Sequence, residues 1–255
     1  MTARLQTVAC LLPCLLGSAF AQSAGRIADH NANAWFMYFG DHAVNGRWGV
    51  HLEGQLRRHD VVSKPQQILL RPGLNFDVNR HLMVTLGYAF VDTHRYGAFP
   101  VAFRFPEHRV FQQALLRHAT GRVGFAHRYR LEQRRLGETA PQPGGGTTVA
   151  NWRHENRFRY MVRATLPFRG GRIQPGSWYF AGYNELLVNF GRNVAANVFD
   201  QNRGYAALGY DMGTPGRLEL GYLHQLIQQR NGRVFEHNHT LQVAVYSTFS
   251  FERRR

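Results

Sequence analysis

From Arg47 to Arg57 apolar and polar residues alternate without a break. Trp48, Val50, Leu52, Gly54 and Leu56 fall on one side; Arg47, His51, Glu53, Gln55 and Arg57 fall on the other. Successive strand side chains point to opposite faces, so the segment has one greasy and one charged face. Its length suits a tilted strand crossing a bilayer, which takes about 9–11 residues.

The pattern recurs along the chain. Ile68, Leu70, Leu74 and Phe76 oppose Gln67, Arg71 and Asn75. Leu82, Val84, Leu86, Tyr88 and Phe90 oppose Thr85, Gly87 and Ala89. Val123, Phe125, Tyr129 and Leu131 oppose Arg128, Arg130, Glu132 and Arg134. Phe158, Tyr160, Val162 and Ala164 oppose Arg157, Arg159 and Arg163. Leu218, Leu220 and Tyr222 oppose Arg217, Glu219 and Gln225, and Leu241, Val243, Val245, Phe249 and Phe251 oppose Gln242, Thr248 and Ser250. Residues 33–40, 109–118, 178–188 and 203–210 are further candidates of ambiguous phase. Short turn-like connections at 77–80, 119–121, 169–176 and 211–216 alternate with longer ones at 92–106, 137–151, 189–202 and 228–237. Short turns on one side and long loops on the other are the layout of an outer-membrane barrel.

The fold class expected is therefore all-β: an antiparallel transmembrane β-barrel. Eleven strands can be traced, but single-chain bacterial barrels close on even numbers. By alternation the first strand would run the same way as the last, so a strand missed near residues 22–33 would complete a pair. The expectation is 12 strands, with 10 the next choice. Pro72 is awkward within a strand because it cannot donate to a ladder.

Composition fits an exported chain. Arg4 precedes an uncharged apolar run from Val8 to Phe20, followed by Ala19-Phe20-Ala21. This is the pattern of a secretory signal over residues 1–21, with cleavage before Gln22 and a barrel domain over 22–255. Cys10 and Cys14 both lie in that segment, so the mature chain has no disulfide and no thiolate chemistry. The formal charge is +15, and Lys64 is the only lysine. Such an Arg excess attracts anions. Export sets nucleic acid aside as a partner and leaves outer-membrane lipids, lipopolysaccharide phosphates and an unidentified solute, with barrel-assembly machinery acting during insertion. A soluble antiparallel sandwich would also alternate, but would not require strands this long.

The order and spacing of short motifs add a resemblance. Trp35 is followed by Glu107-His108-Arg109 with Gln112-Gln113, then Arg128-Tyr129-Arg130-Leu131-Glu132-Gln133-Arg134 and Asn156-Arg157-Phe158-Arg159-Tyr160. Trp178-Tyr179-Phe180 with Glu185, Gly221-Tyr222 with Gln225, and His239 complete the series. Over most of its mature length the chain resembles the bacterial, Gram-negative outer-membrane family known as domain of unknown function 2490. That resemblance implies a barrel without an assigned activity. A departure is the ending Arg253-Arg254-Arg255, which puts the aromatic assembly signal at Phe249 or Phe251.

The sharpest chemical feature is the Arg128, Arg130, Glu132, Arg134 face beside Arg157, Arg159 and Arg163. Glu53, Glu185 and Glu219 share inward faces elsewhere and are expected to pair with it. Two readings follow: an Arg–Glu network that fills a small lumen, or an anion-preferring pore lining. Catalysis on lipid or lipopolysaccharide would need a Ser–His or Asp–His arrangement. The mature serines are Ser23, Ser63, Ser177, Ser247 and Ser250, and no nucleophile–base signature accompanies them, so no catalytic residue is assigned. His237 and His239 share a strand face but lack a third ligand in the sequence, so no metal or other cofactor is expected.

Overall fold

The computed structural model describes residues 25–214 and 216–251; the expected signal segment, its expected cleavage point and the terminal arginines lie outside the described residues. The chain forms eleven strands: β1 (Ile27–Asn45), β2 (Trp48–His59), β3 (Lys64–Asp77), β4 (Leu82–Thr93), β5 (Phe105–Thr120), β6 (Val123–Pro141), β7 (Thr147–Pro167), β8 (Trp178–Phe190), β9 (Phe199–Asp211), β10 (Arg217–Gln228) and β11 (Val234–Ser247). Each pairs with its sequence neighbour, and β1 pairs with β11 to close the barrel.

The expected count of 12 is corrected to 11. No strand precedes β1 among the described residues; the traced segment at 33–40 is the middle of a 19-residue strand. An up-and-down chain with an odd number of strands brings its first and last strands together in the same direction. The closing pair is accordingly parallel, in register from Ile27↔Val234 to Gly40↔Ser247, while the other pairs are antiparallel. Even numbers are an empirical habit of bacterial barrels, not a geometric requirement; a mitochondrial barrel has 19 strands. Parallel pairing is slightly less stable per residue, and this ladder runs unbroken from Ile27 to Gly40.

The polarity of the barrel is inverted relative to a soluble protein. Leu52, Leu56, Leu70, Leu74, Leu86, Leu220 and Leu241 are exposed on the outer wall, whereas Glu53, Arg71, Arg130, Glu132, Glu185 and Gln242 are buried within. Every strand assigned a definite phase from its alternation has that phase here. The ambiguous strands owe their ambiguity to the lumen itself. Apolar side chains interrupt their inner faces: Trp35 and Met37 on β1, Phe111 on β5, Tyr179 and Leu187 on β8, and Tyr205 and Ala207 on β9. Both faces of those strands therefore read as greasy.

The loops differ from expectation in two places. The expected loop at 137–151 is mostly strand, a β6–β7 hairpin that turns only at 142–146. The β7–β8 connection at 168–177 is long although it lies on the rim with the tight turns at 46–47 and 121–122. We call that rim the lower one; the upper rim carries the start of β1 and the loop 94–104. Pro72 is tolerated because the β3–β4 ladder skips it, passing from Leu70↔Phe90 to Gly73↔Gly87.

Two inward aromatic rings lie flat against glycines. A Cβ at Gly87 would sit 2.5 Å from Phe111, and one at Gly209 would overlap the Tyr179 ring. Tyr179 cannot swing away freely, because its hydroxyl donates to Glu219 at 2.9 Å. Gly209→Val is expected to cost about 1–3 kcal/mol by overpacking, read as a lower denaturation midpoint. Gly204→Val, where a Cβ meets nothing within 4 Å, should move it far less.

Candidate functional site

All ten charged residues singled out in the sequence point into the lumen; eight belong to one connected network, and Arg163 and Glu219 form a separate pair below it. Glu132 is the hub. It is 0% exposed and lies 2.7 Å from Arg157, 2.8 Å from Arg159, 3.6 Å from Arg71 and 3.9 Å from Arg109. The β6–β7 register places Glu132 opposite Arg157 and Arg130 opposite Arg159, which explains the pairing locally. Glu185 on β8 accepts from Arg128 and Arg159, both at 2.7 Å, and meets Arg203 at 3.4 Å. Glu53 on β2 pairs with Arg71 and lies 3.8 Å from Arg130. Glu219 on β10 pairs with Arg163. Arg134 turns to Glu107, at 2.5 Å.

Reading the sequence missed several members. Glu107 and Arg109 sit on β5, whose phase was ambiguous, and are joined at 2.7 Å. Arg71 had been placed inward without a partner. Asp200 meets Arg157 at 2.8 Å, and Glu155 holds Arg230 at 2.7 Å from the β10–β11 loop. The Glu107-His108-Arg109 motif was the available signal, since residues two apart share a face.

Positive charge is left over. Arg57 has no carboxylate within 4 Å among the described residues. Its donors go to Gln55 and Gln67, the latter at 2.7 Å. Its guanidinium lies 3.9 Å over the Trp35 ring, which also has Arg203 at 5.5 Å. Two like charges thus share one indole, whose face attracts cations. Arg203 Nε and Arg130 Nη1 are buried without hydrogen-bond partners. Such donors suit an anion or a bridging water.

The charged layer stands between two cavities. The lower one, about 540 Å³, is lined by Glu53, Arg128, Arg163, Glu185, Glu219 and Tyr246. The upper one, about 250 Å³, is lined by Arg57, Arg109, Arg134, Arg157 and Glu236. Gln55, Arg159 and Arg203 line both. Above the upper cavity the loop 94–104 folds inward, with Tyr96 donating to Glu236 at 2.7 Å and Gln229 donating to the Phe99 carbonyl at 2.8 Å. In the lower cavity His51 Nδ1 is 2.8 Å from Asp41, and its other nitrogen faces Glu53 at 3.5 Å. Ser63 and Ser177 are engaged with Asp60 and Gln174 in turns.

Fold and site together define the class: a closed eleven-strand barrel with an apolar outer wall and a lumen packed by an Arg–Glu network. The chain belongs to the family described as "Protein of unknown function (DUF2490)", whose model matches residues 32–236, from within β1 to the start of β11. No curated protein and no solved structure matched it.

Proposed function

We propose that this chain is an outer-membrane barrel that crosses the bilayer with its eleven strands and keeps its lumen closed, a structural or passive component whose cavities attract anions. The observation that carries this reading is the inverted polarity. A continuous outer wall of Leu, Val and aromatic side chains around a buried charged interior is unfavourable in water and favourable in lipid. Aromatic pairs flank the apolar band, as membrane girdles do: Trp48 with Phe76, Trp178 with Tyr210, and Phe168 with Phe180 near the lower rim. Phe249 and Phe251 continue that belt, and Phe249 stacks on His42 at 3.8 Å. The partners of the outer wall are then outer-membrane lipid and lipopolysaccharide, reached through export, cleavage before Gln22 and insertion by the barrel-assembly machinery.

The expected result is recovery in the outer-membrane fraction with Gln22 as the first residue. The odd strand count adds a sharper test. β1 starts at the upper rim and β11 ends at the lower one, so tags placed before β1 and after Phe251 should be accessible from opposite sides of the membrane. A chain soluble in the periplasm without detergent would overturn the reading.

A second reading, an enzyme acting on lipid or lipopolysaccharide, draws on the Asp41–His51 pair in the lower cavity. An acid-paired imidazole is half of a nucleophile-activating device, but the free nitrogen faces a carboxylate, not a hydroxyl. Lipid hydrolysis lost in His51→Ala would establish it.

A further inference from the structure

Near the upper rim, on the outer wall, four histidines from three neighbouring strands come together. His237 and His239 are two apart on β11 and share its outward face. The parallel closing pair sets His30 of β1 opposite His237. The antiparallel β10–β11 pair sets His224 opposite His239. Ring centroids are 4.9 Å apart for His30–His237, 5.5 Å for His224–His237 and 5.4 Å for His224–His239. Nδ1 of His237 lies 3.4 Å from Nε2 of His224.

We propose that His30, His224, His237 and His239 form a surface site for a divalent transition-metal ion of the zinc type, clipping β1, β11 and β10 across the closing seam of the barrel. Two nitrogens bound tetrahedrally to zinc at 2.0–2.1 Å stand about 3.3 Å apart. The His224–His237 spacing already matches that value. Imidazole nitrogens suit zinc, copper and nickel, whereas calcium and magnesium take mainly carboxylate and carbonyl oxygens, which the four histidine side chains do not supply. An outer partner is in place as well. The Tyr222 hydroxyl is 2.6 Å from Nδ1 of His239. With Nδ1–H donating to that oxygen, the Nε2 lone pair of His239 is directed outward for a metal, the arrangement that fixes the tautomer of ligating histidines.

As the side chains stand, no group of three or more His, Cys, Asp or Glu among the described residues is placed to hold a metal ion. His30 stacks on His237 with only 15° between the ring planes. Ligation therefore turns these rings about χ2, which half-exposed side chains on an outer wall can do. A place in the aromatic belt explains a ring with a polar tip, as for His108 beside Trp152 or His127 beside Tyr160. It does not explain four imidazoles drawn together across a seam.

The test is titration of the full-length protein, in detergent micelles, with zinc chloride alone. Calorimetry should find one saturable ion per chain, and zinc should raise the melting temperature. His224→Ala with His237→Ala should weaken binding about tenfold or more and abolish the zinc-dependent rise, while the zinc-free melt stays unchanged. His118→Ala with His127→Ala, a histidine pair near the other rim, should keep both responses. Calcium should give neither. Absence of saturable zinc binding, or binding that survives the His224/His237 double change, would overturn the proposal.

Discussion

Glu132→Ala should be among the most damaging single substitutions this barrel can receive. The carboxylate is fully buried and stands within 4 Å of Arg71, Arg109, Arg157 and Arg159. Its removal leaves four guanidinium groups confined together, with only part of their charge answered by Glu53, Glu107, Glu185 and Asp200. Breaking a buried ion pair by deleting one partner costs about 3–5 kcal/mol, because the surviving charge has lost its compensation and cannot regain water. The urea or guanidinium midpoint of the protein in micelles or vesicles reads this directly. Glu138→Ala is the control. Glu138 pairs with Arg153 at 2.9 Å, but its side chain is 42% exposed, and exposed pairs contribute about 0–1 kcal/mol. Equal midpoints for the wild type and Glu132→Ala would mean that the network does not hold the fold together.

The second large effect concerns permeation. The wild-type barrel should show no ion conductance in a planar bilayer, since its two cavities are divided by packed side chains. Eleven strands put it between the filled eight-stranded barrels and the open porins of 16 or more. Arg159 belongs to the wall shared by the two cavities. Arg130, 1% exposed, stands beside it and opposite it in the ladder. Arg130→Ser with Arg159→Ser removes two of the largest side chains of that partition and should produce measurable current. Arg57, Arg109, Arg157 and Arg203 remain, so the opened path should prefer anions, and the reversal potential across a salt gradient should have the sign of anion flow. The preference should fade with salt, because the screening length falls from about 10 Å at 0.1 M to about 3 Å at 1 M. Cation preference in the double variant would refute the basic lumen as the determinant of selectivity. Steady conductance in the wild type would refute closure.

How much of this was legible beforehand depends on the strand. In β2 and β6 strict alternation gave the phase and the inward charges, because each wall faced a single environment, and in β2 it gave the extent as well. In β1, β5, β8 and β9 the same test was ambiguous. Trp35, Phe111, Tyr179 and Tyr205 are large rings pointing inward, and an apolar residue on the lumen side erases the contrast on which the pattern depends. That cost the Glu107–Arg109 half of the network and the Trp35 platform. The loops were overestimated at 137–151, where Gly137 and the Pro-Gly tip read as turn chemistry although cross-strand pairing carries β6 and β7 well beyond the layer of their neighbours.

The sequence by itself determined the all-β class of fold, the approximate places of eleven strand segments and the face on which nine of the ten charged residues stand; Glu185 lies on β8, where alternation was ambiguous. Side-chain direction in a strand depends only on counting by two, and counting needs no partner. The tertiary structure decided what counting cannot reach. It set the closure on eleven strands, against an expected even number, because parity is a property of how the ends meet and here they meet in parallel. It chose which arginine faces which glutamate, since register across strands far apart in sequence fixes those distances. It also gave His237 and His239 their neighbours. His30 lies at the opposite end of the described chain, and only the ladder that closes the barrel brings it beside them.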